Sequence, residues 1–337
     1  MPDGVALLGV PAACITFSSR SRTQVTRGWT CVFPGGAPQC ARTGTVPFLH
    51  RCQECLVPVL RPALASFLDL LRCPTCRAHL HPRGGALRCP AGHTFDVARH
   101  GYVSLLAGTR ATSGDDAAMA RARSRFLSTG TYGPIRRTVA RLAADAVTGQ
   151  GTVVDVGCGT GYYLAGVLDR LSVARGLGLD TSVRALRSAG RAHERAAAAT
   201  WDVFRPFPLA DGVADVVLDV FAPRNPSEFH RVLRSSGRLI VVRPTRRHLA
   251  ELRGPLPAMV TIDPAKEERL HRALHPYFDA TVTELVEYAA PLARQDVLDL
   301  VAMTPSARHV PRADLDDDGP LPDQVTVSVL ATSYRPR

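Results

Sequence analysis

An α/β fold, with a mostly parallel, Rossmann-like sheet behind a small metal-stapled domain, is predicted by three features of the sequence. Strand and helix patterns alternate from Gly151 to Arg243, as they do when helices cover both faces of a parallel sheet. The first of those strands ends in Asp155-Val-Gly-Cys-Gly-Thr-Gly161, a glycine turn that opens a helix. Upstream, Cys73, Cys76, Cys89 and His93 form a Cys-x2-Cys and a Cys-x3-His pair, the spacing a tetrahedral zinc site needs. The small domain is therefore read as zinc-ribbon-like.

Residues 1–56 are rich in Gly, Pro, Ser, Thr and Arg, without helical or strand periodicity, and are expected to be a disordered extension. Cys52-Gln-Glu-Cys55 lies within it, and Cys31 and Cys40 could in principle complete a second site, but their spacing is irregular. The zinc-binding domain is set at 57–110, entered through an apolar run with helical spacing from Leu60 to Leu71. Arg83-Gly-Gly85 reads as a hairpin turn between the ligand pairs, with Phe95, Tyr102, Val103, Leu105 and Leu106 as a small core. So short a segment buries too little surface to stand alone. Zinc, which contributes roughly 10–16 kcal/mol in small peptides, is expected to hold it.

The larger domain is set at 111–337, beginning with a polar linker at Thr112–Asp116. Helices are expected at Ala117–Leu127 and Pro134–Val147, then a strand at Gly151–Val156 and a helix from Gly161. A strand at Leu177–Asp180, a helix at Ser182–Arg195 and strands at Ala197–Trp201 and Val213–Phe221 follow. A helix from Pro226 and a strand at Arg238–Arg243 complete the alternation, and Val282–Tyr288 and Val325–Ser333 add two strands, seven in all.

Hydrophobic residues make up 45% of the chain, enough for a sizeable core, and no run of eighteen apolar residues predicts a membrane span. The net charge is +11, with forty arginines and one lysine, Lys266. Such an excess favours a polyanion, most commonly nucleic acid, although arginine bias also follows from a GC-rich genome. Of nine cysteines, three belong to the zinc pattern and Cys158 to the glycine turn, uses that need reduced thiols and fit the cytoplasm. The N-terminus has no secretory pattern.

The glycine turn lets backbone amides approach a ligand. Its form is Gly-x-Gly-x-Gly after an acid, rather than the dinucleotide fingerprint Gly-x-Gly-x-x-Gly, and it looks like motif I of class I S-adenosylmethionine-dependent methyltransferases. That likeness assigns Asp155, Gly157, Gly159, Thr160 and Gly161 to the methionine end of the cofactor. Asp180 ends the second strand, where a carboxylate can take both ribose hydroxyls or simply cap the next helix. Asp202, after the third strand, sits where such enzymes read the adenine amine.

The chain also resembles the 23S rRNA guanine-N1 methyltransferases, including the branch that gives macrolide-producing actinomycetes tylosin resistance. The resemblance runs from about Leu71 to Tyr334. It rests on Leu71-Arg-Cys-Pro-Thr-Cys76, Arg88-Cys-Pro-Ala-Gly-His-Thr-Phe-Asp-Val-Ala98, Gly101-Tyr-Val103, Phe126-Leu-Ser-Thr-Gly-Thr-Tyr-Gly-Pro134 and His248-Leu-Ala-Glu-Leu252. Val220-Phe-Ala-Pro-Arg-Asn-Pro226 and Met303-Thr-Pro-Ser306 bring it nearer the tylosin-type branch. The resemblance implies that Tyr132 and His248 also contact the cofactor. It implies methylation at N1 of a guanine in a hairpin loop of 23S rRNA domain II, with macrolide resistance as a consequence open to test. A homodimer is an arrangement the sequence leaves open.

Transfer to guanine N1 needs a lone pair that a proton occupies at neutral pH, so a base or a stabiliser of O6 charge is expected. Asp219, Phe221 and Asn225, around the segment after the fourth strand, are the catalytic candidates, with Phe221 able to stack on the base and the other two equally readable as turn residues. Arg77, Arg83, Arg88 and Arg99 surround the zinc ligands and are expected to meet RNA phosphates. Two rivals remain at this stage: a small-molecule methyltransferase of secondary metabolism, which leaves the zinc domain without purpose, and a non-catalytic RNA-binding protein, which leaves the intact glycine turn without one.

Overall fold

The computed structural model describes residues 60–106, 116–147, 149–259, 265–310 and 319–337, all within one compact unit, Glu54–Arg337. The expected extension at 1–56, with Cys31, Cys40, Cys52 and Cys55, lies outside the described residues, as does the expected linker except Asp116, which caps the helix that follows.

Two sheets organise the chain. The smaller is antiparallel and three-stranded: β1 (His81–Arg83), β2 (Ala86–Arg88) and β3 (Thr94–Asp96), with β1 and β2 joined at Gly84-Gly85 as expected. The larger is built from β4 (Tyr102–Val103), β5 (Thr152–Val156), β6 (Arg175–Asp180), β7 (Ala196–Thr200), β8 (Ala214–Val220), β9 (Leu233–Pro244), β10 (Phe278–Pro291) and β11 (Gln324–Pro336). Its order is β10-β11-β9-β8-β5-β6-β7-β4, parallel from β4 to β9, with β11 antiparallel to both neighbours.

The chain thus runs from β5 outward through β6 to β7, then returns to the other side of β5 for β8 and β9. That reversal opens a crevice at the carboxyl ends of β5, β6 and β8, where α/β folds bind ligands. Each central strand is buried on both faces, and alternate side chains divide between two cores. Val153, Val216, Leu218, Ile240 and Val242 meet one layer with α2 (Ala117–Ser128), α3 (Gly133–Ala144), α4 (Tyr162–Arg170) and α8 (Arg294–Ala302). Val154, Val156, Leu177, Val217 and Val241 meet the other, with α6 (Pro226–Val232), α7 (Lys266–Leu274) and the zinc-ligand segment.

Four expectations are corrected. The sheet has eight strands rather than seven, because Tyr102 and Val103 pair parallel with Ala198 and Ala199. The separate core expected around Phe95 does not exist: Leu80, Leu87, Phe95, Val103 and Leu105 share one core with Leu177, Ala197 and Phe207 of the large sheet. The helix expected to Arg195 is α5 (Val183–Ala189) and stops at Gly190, where a Cβ would lie 2.8 Å from the His100 carbonyl oxygen of the crossing chain. Of the apolar run at Leu60–Leu71, only α1 (Pro62–Ala65) is helical, although Leu64, Phe67 and Leu71 are fully buried.

Candidate functional site

A cavity of about 950 Å³ opens at the carboxyl ends of β5, β6 and β8. The glycine turn forms its floor. Gly157 has φ +71°, and a Cβ there would lie 2.6 Å from the Cβ of Ala222, so only glycine fits. Gly157 and Cys158 donate to the Leu179 carbonyl (2.8 and 3.1 Å), stitching the turn to β6. Gly157, Gly159 and Thr160 line the cavity. Gly161 does not line it: a Cβ there would lie 2.9 Å from the Cβ of Ala192 and 3.0 Å from the Cα of Ala189, so this glycine packs the start of α4 against the end of α5. Cys158 lies buried over Gly178, its thiol pushed well up by burial and then by Asp180 and Asp155.

Asp180 stands at the cavity, and the helix cap that the sequence offered as its alternative role is Ser182 instead. The Asp180 carboxylate accepts from the Gly159 amide (2.8 Å) and the Ser182 amide (2.7 Å), fixing the turn and the entry to α5. Asp155 differs in kind. It is buried, its Oδ2 has no hydrogen-bond partner among the described residues, and its carboxyl is pushed up to about 8, first by burial, then by Asp180 and Asp219. Such a carboxyl suits a cationic ligand, whose charge would restore the ionised form. Asp202 lines the cavity, accepts from the Phe204 amide (3.0 Å) and lies 3.8 Å from Arg205 Nε. Next to it the Trp201 indole N–H is buried without a partner among the described residues, and the Phe204 ring is 70% exposed at the wall.

The opposite wall is aromatic. His248 Nδ1 accepts the Ser328 amide (3.1 Å), which leaves the proton on Nε2, 3.3 Å from the Tyr132 hydroxyl. Burial lowers the His248 imidazole to about 4 and raises the Tyr132 phenol far above its ordinary range. The pair is therefore neutral near pH 7. With His248 donating to the Tyr132 oxygen, that hydroxyl keeps a hydrogen to donate. Phe221 stacks with His248, ring centroids 6.1 Å apart and 24° between planes, and lies 6.2 Å from Tyr132. Its φ of +57° is unusual for a non-glycine residue and turns the chain at the end of β8.

Of the three catalytic candidates, Phe221 alone lines the cavity. Asp219 is fully buried behind the wall, 3.4 Å from Arg224 Nη2. Asn225 is a helix cap: its Oδ1 accepts the Glu228 amide (3.5 Å) and its Nδ2 donates to the Val203 carbonyl (2.9 Å). Sequence reasoning left unassigned Arg224, within a motif it quoted, and Met119, Met259 and Met303. Three of the chain's four methionines line this cavity and give it an adaptable apolar side.

At the zinc-ligand segment, the ligand atoms of Cys73, Cys76, Cys89 and His93 all lie within 4.8 Å of one another. Cys73 Sγ is 3.6 Å from His93 Nδ1, Cys76 Sγ 3.6 Å from Cys89 Sγ, and Cys89 Sγ 3.3 Å from His93 Nδ1. Tetrahedral zinc with ordinary Zn–S and Zn–N lengths requires edges of roughly 3.5–3.8 Å, so the quartet fits the ion with small adjustments. Arg77, expected at an RNA phosphate, also serves as a latch within the protein. With φ +63° it donates to the Phe207 and Leu209 carbonyls (2.7 and 2.9 Å) and so fastens the ligand turn to the segment behind Asp202. Arg83 and Arg88 stay exposed on β1 and β2.

A crevice of this topology, floored by a glycine turn between two carboxylates and backed by a zinc ribbon, defines a class I S-adenosylmethionine-dependent methyltransferase with a structural zinc site. Comparison with known proteins agrees: the model described as "RlmA, N-terminal", a zinc ribbon, matches residues 71–111, and a "Methyltransferase domain" model matches 154–241. The 23S rRNA (guanine(748)-N(1))-methyltransferase of Streptomyces fradiae is 43% identical over 272 residues, 79% of this chain and 96% of the relative. A Micromonospora griseorubida protein, provisionally named as a 23S rRNA (guanine-N(1)-)-methyltransferase, is 45% identical over 292 residues, 80% of this chain and 99% of the relative. A Bacillus subtilis protein with the same provisional name is 33% identical, covering 72% and 89%. The chain belongs to the 23S rRNA (guanine-N1)-methyltransferase family.

Proposed function

We propose that the chain methylates N1 of a guanine in a hairpin loop of 23S rRNA domain II, the position corresponding to that named for the Streptomyces fradiae relative. The observation that supports this most is the division of one cavity into an acidic end, with Asp155 lacking a partner at Oδ2, and an aromatic end at Phe221, Tyr132 and His248. S-adenosylmethionine supplies an electrophilic methyl group on a cationic sulfur. On this reading Asp155 and the backbone of Gly157, Gly159 and Thr160 hold the methionine end, Asp180 the ribose, and Asp202 the adenine amine. The Tyr132 hydroxyl, set by His248, donates to the same ligand. Guanine N1 faces its partner in a duplex, so the base enters unpaired, with Phe221 stacked on its face.

Zinc joins Cys73, Cys76, Cys89 and His93, and the exposed Arg83 and Arg88 of that ribbon meet RNA phosphates. On this reading the ligand set belongs to a zinc-binding domain at 57–110 and the crevice to a methyltransferase domain at 111–337, with Tyr102–Val103 pairing across that division. Among the described residues no helix is long and apolar enough to cross a membrane, and an rRNA substrate sets the enzyme in the cytoplasm. A homodimer is consistent with this reading.

Methylation at N1 blocks Watson–Crick pairing and stops reverse transcriptase. Primer extension across domain II is expected to stop beside one guanine in RNA from a strain with the gene and to read through in its deletion. Read-through in both would refute the assignment. The same pair of strains is expected to differ in tolerance of tylosin-type macrolides.

A further inference from the structure

Four arginines line a cavity whose cofactor end is acidic: Arg123, Arg224, Arg253 and Arg269. Three are engaged with the protein. Arg253 Nη2 donates to the Arg246 and His248 carbonyls (2.8 and 3.2 Å), Arg123 Nη2 donates to the Met303 carbonyl (2.8 Å), and Arg269 is likewise partnered. Arg224 is held differently. It follows Phe221-Ala-Pro223 at the carboxyl end of β8, with Nη2 3.4 Å from Oδ1 of Asp219. The side chain of Asp219 is wholly buried, that of Arg224 is 18% exposed, and Arg224 Nε has no hydrogen-bond partner among the described residues. The ion pair anchors one side of the guanidinium at Asp219 and leaves its exposed part at the cavity that Arg224 lines.

We infer that Arg224 reads the acceptor base, donating to guanine O6 and N7 and stabilising the charge that O6 gains as N1 loses its proton. The inference rests on the reading of guanine N1 as the acceptor. Guanine offers two adjacent acceptors that match the arginine fork, whereas adenine places an amino donor where O6 would be. O6 is bonded to the carbon next to N1, so a cation at O6 stabilises the N1 anion directly.

The rest of the cavity makes that stabilisation necessary. His248 Nδ1 is taken by the Ser328 amide, the Tyr132 hydroxyl is a donor, and Asn225 is turned away as a helix cap. On the proposed reading Asp155, Asp180 and Asp202 are taken by the cofactor, and Asp219 lies behind Arg224. The N1 proton therefore leaves to water. The N1–C bond forms as the methyl C–S bond breaks, and its electron pair stays on sulfur. Phe221, three residues earlier, sits against the face of the base while Arg224 meets its edge.

The test is methylation of an RNA hairpin by the zinc-loaded full chain and its Arg224→Gln and Arg224→Lys variants, from about pH 6.5 to about pH 10. Calorimetry with S-adenosylmethionine accompanies it, and the target position is guanine, inosine or adenine. The wild type is expected to methylate guanine and inosine at N1 and to leave adenine unchanged. Arg224→Gln should lose about 10- to 100-fold in kcat near neutrality, with unchanged cofactor affinity, and the deficit should shrink as the base ionises unaided. Arg224→Lys, which keeps the charge without the fork, should recover part of the rate but less discrimination. A deficit constant with pH, or wild-type kcat in Arg224→Gln, overturns the role of Arg224 while the function stands. Absence of N1 methylation by the wild type overturns both.

Discussion

The zinc ribbon and the cofactor crevice each gather charged groups around a cation, by opposite means. In the ribbon, four ligand atoms come from two short turns between Cys73 and His93, and the three strands there are three residues each. In the crevice, Asp155, Asp180 and Asp202 come from three strands spanning almost fifty residues, with buried strands beneath them. The ribbon is organised by its ion; the crevice is organised before its ligand arrives, and burial together with Asp180 and Asp219 holds the Asp155 carboxyl up, with its Oδ2 lacking a partner among the described residues. Proximity in sequence makes a site simple to encode and dependent on metal. Convergence through topology makes a site rigid and lets it hold an unfavourable charge.

Removing the ion should give the largest effect. With Cys73→Ser and Cys89→Ser combined, zinc should be lost. Its contribution of roughly 10–16 kcal/mol in small peptides equals or exceeds the whole stability of many domains. Methylation of rRNA should fall about 100-fold or more while cofactor affinity falls less, since the ribbon shares its core with the large sheet but lends no residue to the cavity lining. Metal content by atomic emission and cofactor calorimetry on the same sample check this, and stoichiometric zinc in the double variant would remove the ligand assignment. Gly157→Ala should do the reverse. Its φ of +71° and the 2.6 Å approach to Ala222 should cost about 1–3 kcal/mol, a drop of about ten- to 100-fold in cofactor affinity, with zinc retained.

Asp180→Ala removes a carboxylate that holds two backbone amides and, on the proposed reading, the ribose. A loss of about tenfold or more in cofactor affinity is expected by calorimetry, with zinc content unchanged; an unaltered dissociation constant would leave Asp180 as a brace of two backbone amides alone. The last effect, a pH dependence, concerns Asp155. Its carboxyl is raised to about 8 in the cofactor-free protein, so binding a cation at lower pH must expel a proton. Affinity should therefore rise as pH climbs to about 8, by up to about tenfold per pH unit, and then level off; Asp155→Asn should flatten the profile. For stability the sign is opposite. A carboxyl whose folded value is raised costs stability as pH rises from its ordinary value to about 8, so cofactor-free Asp155→Asn should melt above the wild type at alkaline pH.

Much of this was legible before the fold was known. The zinc quartet converges because its spacing is local, and the strands of the alternation begin or end within a few residues of their expected limits because buried parallel strands read as apolar runs. Tyr102–Val103 was not readable as a strand: two residues show no alternation, and only the exposed edge of β7 makes them one. Arg77 looks like a surface cation, and nothing in its neighbours reveals the carbonyls 130 residues away that it holds. Asp219 and Asn225 flank Phe221 closely in sequence, yet burial withdraws the first from the cavity and helix capping withdraws the second. Met119, Met259 and Met303 share a wall that no periodicity can relate, because topology alone brings them together.

The central claim is that this chain places a methyl group on N1 of a guanine in 23S rRNA. Mass spectrometry of nuclease digests, after incubating the zinc-loaded protein and S-adenosylmethionine with unmodified 23S rRNA, tests it most directly. The account predicts one 1-methylguanosine per rRNA, dependent on the protein and formed about ten- to 100-fold more slowly by Gly157→Ala at limiting cofactor. No methylated nucleoside, or a methyl group on any other atom or base, would contradict it.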